Sequence, residues 1–476
     1  MTSVRTRFAP SPTGFLHVGG IRTALFAFLV AKQAKGTFVL RFEDTDKKRE
    51  VPGSAEHLIS SLKAIGIEYD EGPDVGGPFG PYIQSQRLDH YQAWAERLIE
   101  QGRAYADPYT SEEMQSFRDE AAAQKRAFRY RDYRPEHPPV WDGTQPLRFR
   151  SDPKSYTYHD EVMGDITTSP EVVDDFILIK SDGYPTYNFA HIVDDAEMHI
   201  SHVIRGQEFI SSMPNYLALY EALGLERPIF AHLPHIMNEQ GNKKLGKRDG
   251  AKDVLDYIRD GYLPEAMISF IATMGWNDGT EQEIFTKQEL INSFSLNRVQ
   301  KSGARFDEKR LLWMNGQFIR ELNLDELAGR IEYFWPESAK KHSENYKKEV
   351  LKLAQDRLKT FKDLPALTSY FFEEPIPDLS LITENKQLRK LTPAEIVDIL
   401  RTSRDALMQS DWTAEAIQET LNQLLEQTGQ KPGTLFSLVR IATTWAPFSP
   451  QLNDTLRLLG QETTLARLQR AIEIQI

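Results

Sequence analysis

The spacing of apolar and polar positions divides the chain into an N-terminal part with mixed periodicity and a helical C-terminal third. Residues 4–9 read as a short strand that runs into Pro10-Ser11-Pro12-Thr13-Gly14, a stretch only a loop accommodates. After His17-Val18-Gly19-Gly20 the spacing turns helical through IRTALFAFLVAKQAKG, ending near Gly36. TFVLRFEDTD then reads as an apolar strand emerging into an acidic loop. Strand, glycine-containing loop, helix and strand, in that order, form the βαβ unit of a parallel nucleotide-binding sheet. Helices are expected at about 54–65 and 87–101. From about 106 to 170 the pattern breaks into short strand-like pieces around KRAFRYRDYRPEHPP, which reads as an insertion. The parallel-sheet signal resumes at 175–181, continues through a helix near 213–223, and returns as a strand at 228–233. Beyond about 322 nearly everything is amphipathic helix. Thr392-Pro393-Ala394-Glu395 combines a threonine cap, proline at the first helical position and glutamate three residues after the cap. Ile396, Val397, Ile399 and Leu400 follow as its apolar face.

Composition narrows the class. At 476 residues there is length for about three domains, and 40% hydrophobic with 11% aromatic residues excludes global disorder. A net charge of −12 and a pI near 5.5 exclude a uniformly basic nucleic-acid coat, though not a local basic surface. The absence of cysteine removes disulfides, zinc–thiolate sites, iron–sulfur clusters and a cysteine nucleophile. The start of the chain has no signal-peptide core, and the longest apolar stretch, about 25–31, is bounded by Arg22 and Lys32. That is far short of the roughly 20 residues that span a bilayer. A soluble, cytoplasmic protein without a membrane partner is expected.

Two segments carry chemistry. A loop between strand and helix, such as Pro10 to Gly20, aims backbone N–H groups and a positive helix end at phosphates. His17 followed by two glycines lets a nucleotide approach the backbone and offers an imidazole donor. Lys244-Leu245-Gly246-Lys247-Arg248 supplies two lysines three apart, suited to charge building up on a departing pyrophosphate. Taken singly, the first is also an ordinary glycine turn and the second a solvated basic loop. His199/His202 and His232/His235 have chelating spacings, but with no thiol or third ligand they read as packing residues, and no metal ligand is assigned.

Together and in this order, the two segments resemble the HIGH and KMSKS signatures of class I aminoacyl-tRNA synthetases. RFAPSPTGFLHVGGIRTALF, FVLRFEDTD, GPYIQSQRLDHY, KSDGYPTYNFAHIVDD, HVIRGQEFI and LLWMNGQFIR resemble the bacterial glutamyl-tRNA synthetases more narrowly. The resemblance is dense to about Arg320 and looser beyond. It implies an α/β fold: a Rossmann-type parallel-sheet catalytic domain (1–105 and 175–255), an inserted acceptor-end domain (106–174), a helical stem-contact domain (256–322) and an all-α anticodon-binding region (323–476). It implies a ligase that activates L-glutamate with ATP, with Mg²⁺ as the ATP partner, and transfers it to the terminal adenosine of tRNA(Glu). A monomer is expected, and tRNA(Gln) as a second acceptor stays open.

Residue by residue, the resemblance assigns Arg7, Ala9 and Ser11 to the amino acid, Glu43 to its α-ammonium group, and Tyr187 and Arg205 to its carboxylates. Arg7 suits a glutamate side chain because a guanidinium fork never loses its proton. His17 and Gly19 go to ATP phosphates or ribose, Glu208 to the ribose, the Ile236 backbone to the adenine, and Lys244 and Lys247 to phosphate chemistry. Arg126, Arg129 and Arg131, interleaved with Phe128, Tyr130 and Tyr133, suit unstacked RNA ends, and Arg357 resembles an anticodon-reading position. Departures are Gly246 for the usual serine, Gly20 for the last histidine, and Asp107 and Tyr109 where many relatives carry zinc-binding cysteines, so no zinc is expected. The alternatives are a glutaminyl enzyme, whose relatives carry C-terminal β-barrels, a tRNA-modifying glutamyl transferase resembling only the catalytic half, and a non-catalytic tRNA-binding regulator.

Overall fold

The computed structural model describes residues 3–246 and 252–474. They form two compact units, Met1–Tyr257 with Met267–Glu308, and Ile258–Ala266 with Lys309–Ile476. Residues 256–322 are thus shared between the units. No helix among the described residues is long and apolar enough to cross a membrane.

The first unit opens with β1 (Arg5–Phe8), α1 (Val18–Gln33) and β2 (Thr37–Leu40), the expected βαβ unit. β1 and β2 pair in parallel, Arg7 opposite Val39 and Phe8 opposite Leu40. α1 is buried on most of its circumference, including Ile21, Leu25, Phe26, Phe28 and Leu29, which is why its sequence is apolar nearly all round. There follow α2 (Ser54–Ala64), α3 (Leu88–Glu100), β3 (Ala104–Ala106), α4 (Ser111–Ala123), β4 (Leu147–Phe149), β5 (Tyr156–Asp160) and β6 (Gly164–Thr168). Next come β7 (Ile177–Ile179), α5 (Tyr187–Glu197), β8 (His202–Gly206), α6 (Met213–Ala222) and β9 (Ile229–Leu233). The main sheet has the order β2-β1-β8-β9-β5-β6, parallel except for the β5–β6 hairpin. β1 has its sequence successor β2 on one side and β8 on the other. Such a reversal opens a crevice at the carboxyl ends of the strands.

The insertion departs from the sequence reading in two places. The segment 175–181, read as a return to the parallel sheet, contains β7, which pairs antiparallel with β4 in a separate sheet of order β3-β4-β7. Conversely, β5 and β6, read as part of the insertion, extend the main sheet, with Asp160 opposite Phe230. The strands of the small sheet are three residues long, and β3 and β4 are buried throughout, so no alternation betrays which sheet they join. Charge fastens the small sheet. Asp107 accepts from Arg148 Nε at 2.6 Å and Tyr130 Oη at 2.5 Å, and Asp175 takes both Arg134 Nε and Nη2 at 2.6 Å.

The second unit is helical through its C-terminal portion. Helices Pro393–Met408, Ala414–Thr428, Pro432–Thr444, Leu452–Leu459 and Gln461–Glu473 close on a core containing Ile396, Leu400, Leu421, Leu438 and Leu468. The Thr392 capping box forms as read: its hydroxyl accepts from Glu395 N–H, and Glu395 accepts from Thr392 N–H.

Candidate active site

The loop after β1 and the start of α1 wall a cavity of about 520 Å³ at the carboxyl ends of β1 and β8. Arg7, Ala9, Ser11, Glu43, Tyr187 and Arg205 all line it, with His17 and Glu208 at the junction with a smaller neighbouring cavity. His17 caps α1: its Nδ1 accepts from Gly19 N–H at 3.1 Å, so the proton of the neutral ring sits on Nε2. A Cβ at Gly19 would come within 2.9 Å of that ring, so glycine here protects the histidine's orientation.

On one side of the cavity lies a buried charge network that the motifs alone did not reveal. Arg7 Nε faces Asp195 at 3.2 Å and its Nη1 donates to the Ile204 carbonyl at 3.3 Å. Arg41, fully buried, reaches Glu43 at 3.0 Å, Asp195 at 2.9 Å and Asp194 at 3.5 Å. Against the desolvation that would raise it, Arg7 and Arg41 hold Asp195 down at about 2. Glu43 goes the other way: burial raises it to about 7, only partly offset by Arg41 and Arg7. Arg7 thus lines the cavity already ion-paired, with an aspartate 188 residues away on α5.

Arg205 is the guanidinium without such a partner. It is 5% exposed, and among the described residues no carboxylate lies within ion-pair distance. Phe209 and Tyr216 stand 4.9 Å from its carbon, and His232 and His191 are its nitrogen neighbours. A buried cation with neutral surroundings is costly unless an anion arrives.

The second cavity, about 180 Å³, is lined by His17, Gly19, Arg22, Glu208, His235, Ile236 and Lys244 among others. Glu208 lies 3.9 Å from Lys244 and 3.8 Å from His235. A Cβ at Gly206 would meet its carboxylate at 2.1 Å, so glycine makes room for it. Ile236 opens β10 (Ile236–Met237), and its carbonyl is taken by Leu245 N–H at 2.8 Å. Arg22 was not anticipated. It donates to the Pro234 and Met274 carbonyls, its buried Nε has no hydrogen-bond partner among the described residues, and desolvation lowers it to about 10. Its signal was a charge in the apolar N-terminal part of α1, five residues after His17.

Other expected residues lie elsewhere. Lys247 falls outside the described residues. In the insertion, Arg126 contacts Asp132 at 3.0 Å and Tyr133 Oη at 2.5 Å, Arg129 pairs with Glu171, and Arg131 donates to the Pro170 and Val173 carbonyls. Of the aromatics expected to stack on bases, Phe128 and Tyr133 stack on one another at 5.8 Å, and Tyr133 also on Phe117 at 4.5 Å, while Tyr130 is buried with its hydroxyl on Asp107. Arg357 is exposed in a single turn, Gln355–Arg357, of the second unit.

Comparison with known proteins follows the same outline. A family model for the catalytic domain of class I tRNA synthetases (E and Q) matches residues 3–313, and one for an anticodon binding domain matches residues 326–472. The glutamate–tRNA ligase of Chloroflexus aurantiacus is 40% identical, covering 98% of this chain and 97% of its own. That of Moorella thermoacetica is also 40% identical, covering 99% and 98%. The crystal structure of a glutamate tRNA ligase from Elizabethkingia meningosepticum in complex with its amino acid superposes over all of both chains with a TM-score of 0.86 at 33% identity.

Proposed function

The chain belongs to the class I tRNA synthetases for glutamate and glutamine and is a glutamate–tRNA ligase, and from that premise we propose how its own residues divide the reaction. The observation that carries the assignment is the pairing of opposites in one cavity: Arg205, a buried cation with no carboxylate of its own, and Glu43, a buried carboxylate. An amino acid with an extra carboxylate satisfies both. Glu43 takes the α-ammonium group, Arg205 with Tyr187 takes carboxylate oxygens, and Arg7 supports this wall from its pair with Asp195. Ala9 and Ser11 border the amino acid from the loop.

ATP occupies the smaller cavity. Glu208 and Ile236 frame ribose and adenine, and His17 donates from Nε2 toward phosphate at the start of α1, where Gly19 permits close approach. Lys244, and by resemblance Lys247, meet the charge that builds on the leaving oxygens. A glutamate α-carboxylate oxygen then attacks the α-phosphorus while the bond to the bridging oxygen breaks and pyrophosphate departs. In the second step the ribose 2′-hydroxyl of the terminal adenosine attacks the acyl carbon and AMP leaves. No enzyme nucleophile is needed; positioning and charge complementarity suffice. Among the described residues no three His, Asp or Glu side chains converge as metal ligands. Mg²⁺ enters this reading only as the partner of the ATP phosphates, as the resemblance implies.

The insertion receives the acceptor end, with Arg126 and Arg129 as phosphate contacts, and the helical region of the second unit, with Arg357, reads the anticodon. Its helical character supports the glutamyl over the glutaminyl reading. We take the enzyme to act as a cytoplasmic monomer on tRNA(Glu). The test is pyrophosphate exchange and tRNA charging with glutamate, glutamine and aspartate, against purified tRNA(Glu) and tRNA(Gln). Glutamate-dependent charging of tRNA(Glu) is expected, with glutamine rejected by at least about a hundredfold because it cannot neutralise Arg205. Equal use of glutamine would remove Arg205 from the carboxylate.

A further inference from the structure

Arg205 meets two imidazoles: its Nε donates to Nε2 of His232 at 3.1 Å, and its Nη1 lies 3.4 Å from Nε2 of His191. The other nitrogen of each ring faces an oxygen, Asp160 Oδ2 at 2.6 Å from Nδ1 of His232 and the Tyr187 carbonyl at 2.7 Å from Nδ1 of His191. A carbonyl has no proton to give, so His191 must donate from Nδ1, and its neutral ring then presents the Nε2 lone pair to Arg205. Asp160 accepts backbone N–H groups of Val162, Met163 and His232 as well, which keeps it ionised and makes His232 the donor in their shared bond. Burial, with the Arg205 charge beside both rings and Arg7 further off, lowers both histidines below the usual imidazole range, against Asp195 for His191 and Asp160 for His232.

The topology produces this arrangement. Arg205 and His232 are register partners on β8 and β9, and Asp160 comes from β5, the next strand in the sheet. His191 lies one helical turn after Tyr187 on α5, and the two rings stack at 4.8 Å. We infer that His191 and His232 are positioning residues for substrate recognition, a pair of neutral acceptors that fix the Arg205 guanidinium without cancelling its charge. A carboxylate in either place would orient Arg205 equally well but would neutralise it and compete with the substrate. An imidazole locked in this tautomer orients it only, so the full charge stays available to the incoming carboxylate. Asp160, through His232, acts on the same guanidinium from one bond further away.

The inference rests on the reading that Arg205 meets a glutamate carboxylate, and the experiment separates the two. Glutamate and ATP binding to the whole protein are measured by calorimetry. His191→Leu and His232→Leu should each weaken glutamate by about tenfold or more and leave ATP unchanged. His191→Gln and His232→Gln, whose amide oxygen can accept where Nε2 did, should recover most of that loss. In histidine-selective ¹⁵N spectra of the unsubstituted protein, both rings should carry their proton on Nδ1 and none on Nε2. Leucine and glutamine variants that are equally impaired, or a proton on either Nε2, would overturn the positioning role. An Arg205→Gln protein that binds glutamate normally while the ring tautomers are as expected would instead overturn the carboxylate assignment beneath it.

Discussion

Glu43 has a carboxyl that burial raises to about 7, with Arg41 and Arg7 offsetting only part of the rise. Its ionised form is the one that attracts an ammonium group. Below its pKa the protonated fraction grows, so each pH unit below about 7 should raise the KM for glutamate by up to about tenfold, while above it the KM levels off. Glutamate-dependent pyrophosphate exchange between pH 6 and 8 measures this, and a flat KM would detach Glu43 from the ammonium. The two arginines of the cavity should part company under the same substitution. Arg7→Gln strips Asp195 of one of its two cations and should cost about 3–5 kcal/mol of stability, as breaking a buried pair does. Arg205→Gln removes an unpaired buried cation and should cost little stability but about 2–5 kcal/mol of glutamate binding. Urea denaturation beside glutamate binding checks both, and loss of stability in Arg205→Gln as large as in Arg7→Gln would contradict the distinction. Motif reading reached Arg7, Glu43, Tyr187 and Arg205 because each sits in a contiguous, characteristic string. It could not reach their partners. Asp195 is 188 residues from Arg7, and Asp160 is 72 from His232; only the packing of α5 on the sheet brings the first pair together, and only strand order the second.

Elements were legible where periodicity is long and punctuated. α3 stands within a residue of its expected limits and the helix after Thr392 starts where its cap places it, because an amphipathic face and defined caps leave one solution, whereas α1 lies about three residues earlier than expected at both ends. β3, β4 and β7 were not, since a three-residue buried strand carries no period. The small sheet makes its own test. Asp107→Ala would leave Arg148 buried beside the Tyr130 ring with its carboxylate gone, so limited proteolysis between 106 and 150 should accelerate. Cleavage no faster than in the unsubstituted protein would mean the pair does not hold the insertion. Arg129 and Arg131 should likewise separate. Arg131, donating to two backbone carbonyls, should register in proteolysis when changed to alanine. Arg129, paired only with an exposed glutamate, should register in the salt dependence of tRNA binding, lowering its slope by about 0.7 for each phosphate no longer neutralised.

Across the whole molecule the titratable load is uneven, and acid should expose it. All of the chain's 11 histidines except His342 lie in the first unit. Burial lowers His191 to about 3 and also lowers His202, His232 and His235. A base whose folded pKa is depressed stays neutral in the native state while the unfolded chain takes up a proton. Stability therefore falls as pH drops below about 6.5, and for His191 it goes on falling toward 3. Glu43 works in the opposite sense, since a folded carboxyl raised to about 7 gains stability as pH falls toward 4.5. The exposed His159, raised by its hydrogen bond to Asp165, also works that way, but the four desolvated histidines outnumber these two groups, so the balance is a loss. The depressed carboxylates Asp160, Asp175 and Asp195 add to that loss only below about pH 4, as they are protonated in turn. Calorimetric melting at pH 7.5 and at about pH 5 should therefore lower the transition of the first unit while that of the second, with one histidine, stays nearly where it was. His191→Gln should shrink the shift, because the residue no longer titrates. A transition of the first unit that keeps its temperature at both pH values would mean that His191 and His232 do not stay neutral in the folded protein, and with them would go the means by which Arg205 is oriented and left charged.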